Sequence, residues 1–168
     1  ERLNMSPLTP GRLASIPLAD MLRLVVGPSK RGLTVGALFV VSGKPGDTVK
    51  IEGGSSRLDF VGAELDKGTM IVEGDVGVGA GRKMKGGRLE IRGDAGALLA
   101  SGLSGGLIFV KGSAGGHVGG LSPGDKFGMT GGLVVIEGQA GDRAGDRMRR
   151  GTILVRGRIG AFAGSRMV

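Results

Sequence analysis

Six short apolar stretches, each closed by a glycine, recur along the chain: VKIE before Gly53, MIVE before Gly74, LEIR before Gly93, IFVK before Gly112, VVIE before Gly138 and ILVR before Gly157. Successive glycines stand 21, 19, 19, 26 and 19 residues apart. Such a period constrains the fold more than any local motif, because each unit must repeat one shape and bury its apolar face against its neighbours. Four and two residues before each glycine the side chain is always apolar: Val49 and Ile51, Met70 and Val72, Leu89 and Ile91, Ile108 and Val110, Val134 and Ile136, Ile153 and Val155. That alternation predicts a strand with one buried face.

The rest of the unit also keeps register. Val76, Ala95, Ala114, Ala140 and Ile159 follow the marker glycine by two residues, each followed directly by a glycine. Val61, Ala80, Leu99, Val118, Ala144 and Ala163 form a third apolar column, and Leu65, Met84, Leu103, Met129, Met148 and Met167 a fourth. Nineteen residues are too few for a pair of helices but suffice for one strand and several glycine-marked corners. Residues 47–168 therefore read as a right-handed parallel β-helix of about six coils, stacked about 4.8 Å apart so that like positions form columns around a common axis. Methionine suits the fourth column because a flexible thioether fills an irregular interior. With 37 glycines, five phenylalanines and no tryptophan or tyrosine, an ordinary aromatic core is out of reach. Only six prolines and no three-residue glycine period exclude collagen.

Residues 1–46 differ in kind. TPGRLASIPLADMLRLVVG, from Thr9 to Gly27, offers a helix start at Thr9 and Pro10 and apolar positions Leu13, Ile16, Leu18, Met21, Leu22 and Val25, broken by Pro17. It predicts one or two short helices that cap the first coil, whose open edge would otherwise invite strand pairing. No comparable segment follows Val168, so that end is expected to meet further chain or a partner.

Charge and composition narrow the function classes. No apolar run approaches the roughly 18 residues of a membrane span, and no cysteine supplies a disulfide, thiolate nucleophile or thiolate metal site; a soluble, cytoplasmic chain is expected. A formal charge of +8 favours anionic partners, but not single-stranded nucleic acid, because aromatic stacking platforms are missing. The stretch EGDVGVGAGRKMKGG, Glu73 to Gly87, resembles a phosphate loop, yet it lacks the strand-loop-helix context and the GK[ST] ending, and its glycines recur in coils of different decoration. They shape the chain.

No residue set points to catalysis, metal binding or cofactor binding. His117 has no second histidine or cysteine with which to share a metal; Ser113 and Ser122 read as turn residues, and Asp142 and Asp146, beside Arg143 and Arg147, as surface ion pairs. Partner contacts are better indicated. The outward column three residues before each marker glycine reads Lys50, Ile71, Glu90, Phe109, Val135, Leu154, and Ile71, Phe109, Val135 and Leu154 would give an apolar strip fit for a partner subunit or for a covering segment of the same chain. The seven extra residues around Gly119 to Met129 must bulge outward, which makes Leu121 and Phe127 candidates for a docking loop. Arg143, Arg147, Arg149, Arg150 and Arg166 form a basic cluster in which Arg147 and Arg166 take equivalent places in adjacent coils, so their repulsion would call for an anion or an acidic partner.

GMTGG at Gly128 to Gly132, GDRMRRG at Gly145 to Gly151, GDVGVGAGRKMKGG, SPLTPGRLA at Ser6 to Ala14 and VGALF at Val35 to Phe39 together resemble the C subunit of formylmethanofuran dehydrogenase and of the bacterial formyltransferase/hydrolase complex. GAELDKG, Gly62 to Gly68, departs from that pattern, with Leu65 where a methionine is expected. The resemblance implies a scaffold subunit in one-carbon metabolism, between formyl-tetrahydromethanopterin, methanofuran and formate. It further implies amidohydrolase-like and formyltransferase partners, with the metal centre in a partner subunit. The polyglutamyl tail of methanofuran is an implied anion. The C-terminal glycine-repeat domain of glutamate synthase shares the coil and is the alternative, although its LYGAT-like and GERFAVRNSG-like segments are missing here; an unrelated anion-binding β-helix is a further one.

Overall fold

The structure, a computed structural model, describes residues 1–28, 32–43 and 46–168. Two strands form a small sheet, β1 (Leu3–Asn4) and β3 (Leu58–Asp59). Six more form a parallel sheet in chain order: β2 (Thr48–Glu52), β4 (Thr69–Glu73), β5 (Arg88–Ile91), β6 (Leu107–Val110), β7 (Thr130–Ile136) and β8 (Arg150–Val155). Each strand hydrogen-bonds to the strand one coil later. The register follows the repeat: Met70 aligns with Leu89, Ile108, Val134 and Ile153 in turn. The second column appears as a run of parallel bridges, Val76 to Ala95 to Ala114 to Ala140 to Ile159. The chain is thus a β-helix of about six coils.

All four columns point inward. Met70, Met84, Leu89, Leu99, Leu103, Ile108, Val118, Met129 and Ile136 are fully buried in one continuous apolar cluster, where each large side chain contributes about 1.5 to 3 kcal/mol relative to an exposed one. Leu65 of the divergent first coil is buried in the methionine column like its counterparts. The last coil leaves its columns open, with Ile159 at 47% and Met167 at 57% exposure.

The N-terminal segment lies against the first coil. Leu3 pairs with Leu58, and Met5, Leu8, Leu13, Val26 and Val35 join the core cluster. Its helices are α1 (Pro10–Leu13), α2 (Leu18–Leu22) and α3 (Val35–Leu38). The first two agree with the sequence expectation; the third lies in VGALF. Not every apolar position there turns inward, since Leu18 and Val25 are half exposed and Val25 forms an antiparallel bridge with Thr34 instead.

Side chains also stitch coil to coil. Asp59 Oδ1 accepts from Val78 N, Asp75 Oδ1 from Asp94 N, Asp94 Oδ1 from Ser113 N, and Asp142 Oδ1 from Ala161 N, all 2.7 to 2.8 Å long and 19 residues apart. Asp142 is therefore a strut between coils and not one member of a surface ion pair.

Candidate interface surfaces and cationic corner

The outward column of the main sheet is continuous: Lys50 faces Ile71, then come Glu90, Phe109, Val135 and Leu154, each aligned with the next. Its two halves differ chemically. Over the early coils, Lys50 Nζ bridges Glu52 (3.1 Å) and Glu73 (3.2 Å), Arg92 bridges Glu73 (2.7 Å) and Glu90 (3.2 Å), and Arg88 reaches Glu90 (3.1 Å). Partial burial pushes the Glu73 and Glu90 carboxyls up, but the hydrogen bonds and charges of these cations hold both below the usual carboxylate range. Ile71, half-buried, stands between Lys50 and Glu90 in this column. Over the later coils the face is apolar: Phe109 and Val135 are half-buried, Leu154 is 49% exposed, and Leu133, aligned with Leu107 in the neighbouring outward column, is 38% exposed.

The arginine cluster is less free than its sequence suggests. Arg166 makes a bidentate pair with Asp146, Nε to Oδ1 at 3.0 Å and Nη2 to Oδ2 at 2.6 Å, and Asp146 is only 2% exposed. The hydrogen bond from Arg166 lowers the Asp146 carboxyl against the opposing effect of burial, helped by the charges of Arg166, Arg143 and His117. The repulsion expected between Arg147 and Arg166 is thus met by a carboxylate of the chain itself, because the coil brings Asp146 within reach of a residue 20 positions later. Arg143 lies 5.7 Å from the Phe162 ring centroid and Arg149 4.4 Å from that of Phe127. Arg147 is half-buried and Arg150 exposed.

The insertion bulges outward but is pinned. Ser101 Oγ donates to Gly120 O at 2.9 Å, Ser122 is buried, and Asp125 reaches Lys83 Nζ at 2.8 Å and Arg82 Nη2 at 3.9 Å. Leu121 is half-buried, and Phe127, also half-buried, lies under Arg149. His117 is a corner residue with φ +60°, and its backbone N donates to Asp142 O. Among the described residues no group of three or more His, Cys, Asp or Glu could hold a metal ion, and no helix is long and apolar enough to cross a membrane.

This geometry has a solved counterpart. In the crystal structure of the formyltransferase/hydrolase complex (FhcABCD) from Methylorubrum extorquens in complex with methylofuran, one chain matches with a TM-score of 0.91 and 44% identity over 94% of the present chain. The C subunit of the Fhc formyltransferase/hydrolase complex of the same organism is 47% identical over 77 residues, 46% of this chain. The chain is thus similar over nearly its whole length to a subunit of that complex. It spans less than two thirds of these relatives, 60% of the solved chain, and its 77 matched residues are 29% of the curated relative. No family model matches the sequence.

Proposed function

We propose that this chain is a scaffold subunit of a cytoplasmic formyltransferase/hydrolase complex, holding amidohydrolase-like and formyltransferase subunits that pass a formyl group through a methanofuran-type carrier. The observation that carries the reading is the likeness over 94% of the chain to one chain of FhcABCD, a structure described as a complex with methylofuran. The chain's own chemistry supports a structural part. Its buried carboxylates are both engaged by the chain itself among the described residues, Asp146 by Arg166 and Asp59 by Arg2 and Val78 N, and its one histidine holds a corner. A rigid column of coils with one apolar outer strip suits docking. The carrier's furan chemistry and the metal centre belong to partner subunits in this reading, while exposed cations such as Arg150 offer an acidic tail or acidic partner segment a place to lie.

The test is affinity capture of the endogenous protein followed by mass spectrometry. Recovery of amidohydrolase-like and formyltransferase subunits in fixed ratio supports the assignment. A clean monomer, or recovery of a flavin and iron–sulfur synthase, overturns it.

A further inference from the structure

A cleft of about 310 Å³ opens between the insertion and the corner of the coils, lined by Lys83, Lys85, Gly102, Ser104, Asp125, Lys126, Phe127, Gly128 and Thr130. The repeat explains its shape. Lys85, Ser104, Thr130 and Arg149 each donate a backbone N–H to the preceding coil at the same place in the unit, so they form one column along the corner. Where the outer coils carry cations, the two central ones carry small hydroxyl residues beside Gly102 and Gly128. A hollow results, floored by small residues and walled by cations.

Its electrostatics are unbalanced. Three lysines face one carboxylate, and among the described residues neither Lys85 nor Lys126 has an ion-pair partner, while Arg149 stands on the ring of Phe127 at the rim. The cleft already receives one oxyanion, the chain's own: Asp125 Oδ1 takes Lys83 Nζ at 2.8 Å. The match is incomplete. Asp125 Oδ2 and Arg82 Nε are buried without a hydrogen-bond partner, and a buried polar group left unpaired is costly. The hydroxyls of Ser104 and Thr130 make only long contacts to backbone carbonyls, 3.3 and 3.5 Å, so either can turn towards an incoming acceptor.

We propose that this cleft is a binding site for a compact, multiply charged oxyanion, a phosphate or a small polycarboxylate, held by Lys85 and Lys126, with Asp125 as a built-in competitor that yields Lys83 when the ligand enters. The insertion then serves as the movable wall of a ligand site. This inference is independent of the assembly proposed above, because it is tested on the chain alone.

Isothermal titration of the purified protein at low ionic strength, with inorganic phosphate in one arm and citrate in the other, reads the site directly. Saturable binding of one probe or both is expected, and the preferred probe identifies the ligand class. Lys85→Gln with Lys126→Gln removes two charge-assisted hydrogen-bond donors and should weaken binding about tenfold or more. Asp125→Asn should tighten it several-fold, and Arg156→Gln, on the far side of the coil, should leave it unchanged. Circular dichroism melts establish that each variant is folded. Absence of saturable binding by either probe, undiminished binding in the folded double lysine variant, or weaker binding in Asp125→Asn overturns the proposal.

Discussion

If glycine in this chain serves coil stacking more than backbone handedness, two glycine-to-alanine substitutions should separate in cost. Gly115, next to the bridge residue Ala114, has an ordinary φ, yet a Cβ there would lie 2.8 Å from Ala97 N, 3.0 Å from Ala97 Cα and 3.0 Å from Gly96 C. All three are backbone atoms of the preceding coil, so no side chain can move aside. Restoring contacts of roughly 3.5 to 4 Å requires the coils to part by about 0.5 to 1 Å, which stretches the 2.9 Å bond from Gly115 N to Ala95 O. Overpacking costs about 1 to 3 kcal/mol and a weakened hydrogen bond about 1 kcal/mol. Alanine recovers about 0.4 to 1 kcal/mol by stiffening the unfolded chain. Gly115→Ala should therefore lose about 2 to 3 kcal/mol. Gly53 is the control, with φ +85° and nothing within 4 Å of the place a Cβ would take. Its alanine variant meets only the left-handed backbone penalty of about 1 to 2 kcal/mol, less the same gain, and should lose about 1 kcal/mol or less. Urea unfolding followed by circular dichroism, compared at constant slope, measures both. Equal losses at the two sites would refute the stacking argument and make glycine's role purely conformational.

Three further outcomes follow from side chains on the outside of the coil. Phe109→Lys with Leu154→Lys places two cations on the apolar strip and should abolish capture of partner subunits while leaving the far-ultraviolet spectrum and melting temperature close to the parent; retained assembly would show that the strip is not the interface. Asp146, whose folded-state carboxyl is lowered chiefly by the Arg166 hydrogen bond, contributes stability that is fully present above the unfolded aspartate value of about 3.9 and is lost as pH falls through the lower folded value. Arg166→Gln should accordingly lower the melting temperature at about pH 7, and its gap from the parent should narrow as pH falls below the unfolded aspartate value of about 3.9, whereas a gap independent of pH would sink the assignment. Asp94→Ala, which removes the acceptor 2.7 Å from Ser113 N, should cost about 1 kcal/mol in denaturant unfolding, and Asp94→Asn, which keeps an oxygen in place, distinctly less.

The columns were legible in the sequence because a parallel coil returns each position to the same place, so Met70, Leu89, Ile108 and Val134 announce their alignment by spacing alone. The corners were not. Phe60, Leu98, His117, Arg143 and Phe162 share one left-handed column with Gly79, their own φ between 58° and 61°, and Glu64, Lys83, Arg147 and Arg166 share another with Gly102, their own φ between 52° and 59°. Between them runs a third left-handed column, which keeps glycine at Gly62, Gly81, Gly119, Gly145 and Gly164 and admits alanine once, at the fully buried Ala100. All three columns carry the same backbone penalty, so handedness does not decide where glycine stays. Space does: a Cβ on Gly119 would meet Ile153 Cδ1 at 2.7 Å, whereas Phe162 and Arg166 project outward from the coil. Reading glycine as a corner marker therefore located the unit, including the left-handed column of Gly68, Gly87, Gly106, Gly132 and Gly151, but missed the two left-handed columns that mostly carry side chains.

The same limit hid the pairings on the cationic corner. Asp146 and Arg166 stand one position out of equivalence in adjacent coils, and Asp125 reaches Lys83 across the intervening coil, so no local spacing signals either contact. Their partners are set by the axial stacking distance and by the length of the insertion, both of which exist only once the coils are closed. Charge on a solenoid corner is for this reason poorly read as a cluster along the chain; it has to be summed down each column, where Arg166 proves to be matched and Lys85 and Lys126 do not. On that count Lys85 and Lys126, like Arg143, Arg147, Arg150 and Arg158 of the last coils, have no ion-pair partner among the described residues, but only the two lysines line a recess floored by small hydroxyl residues, which is where a compact anion gains most from them.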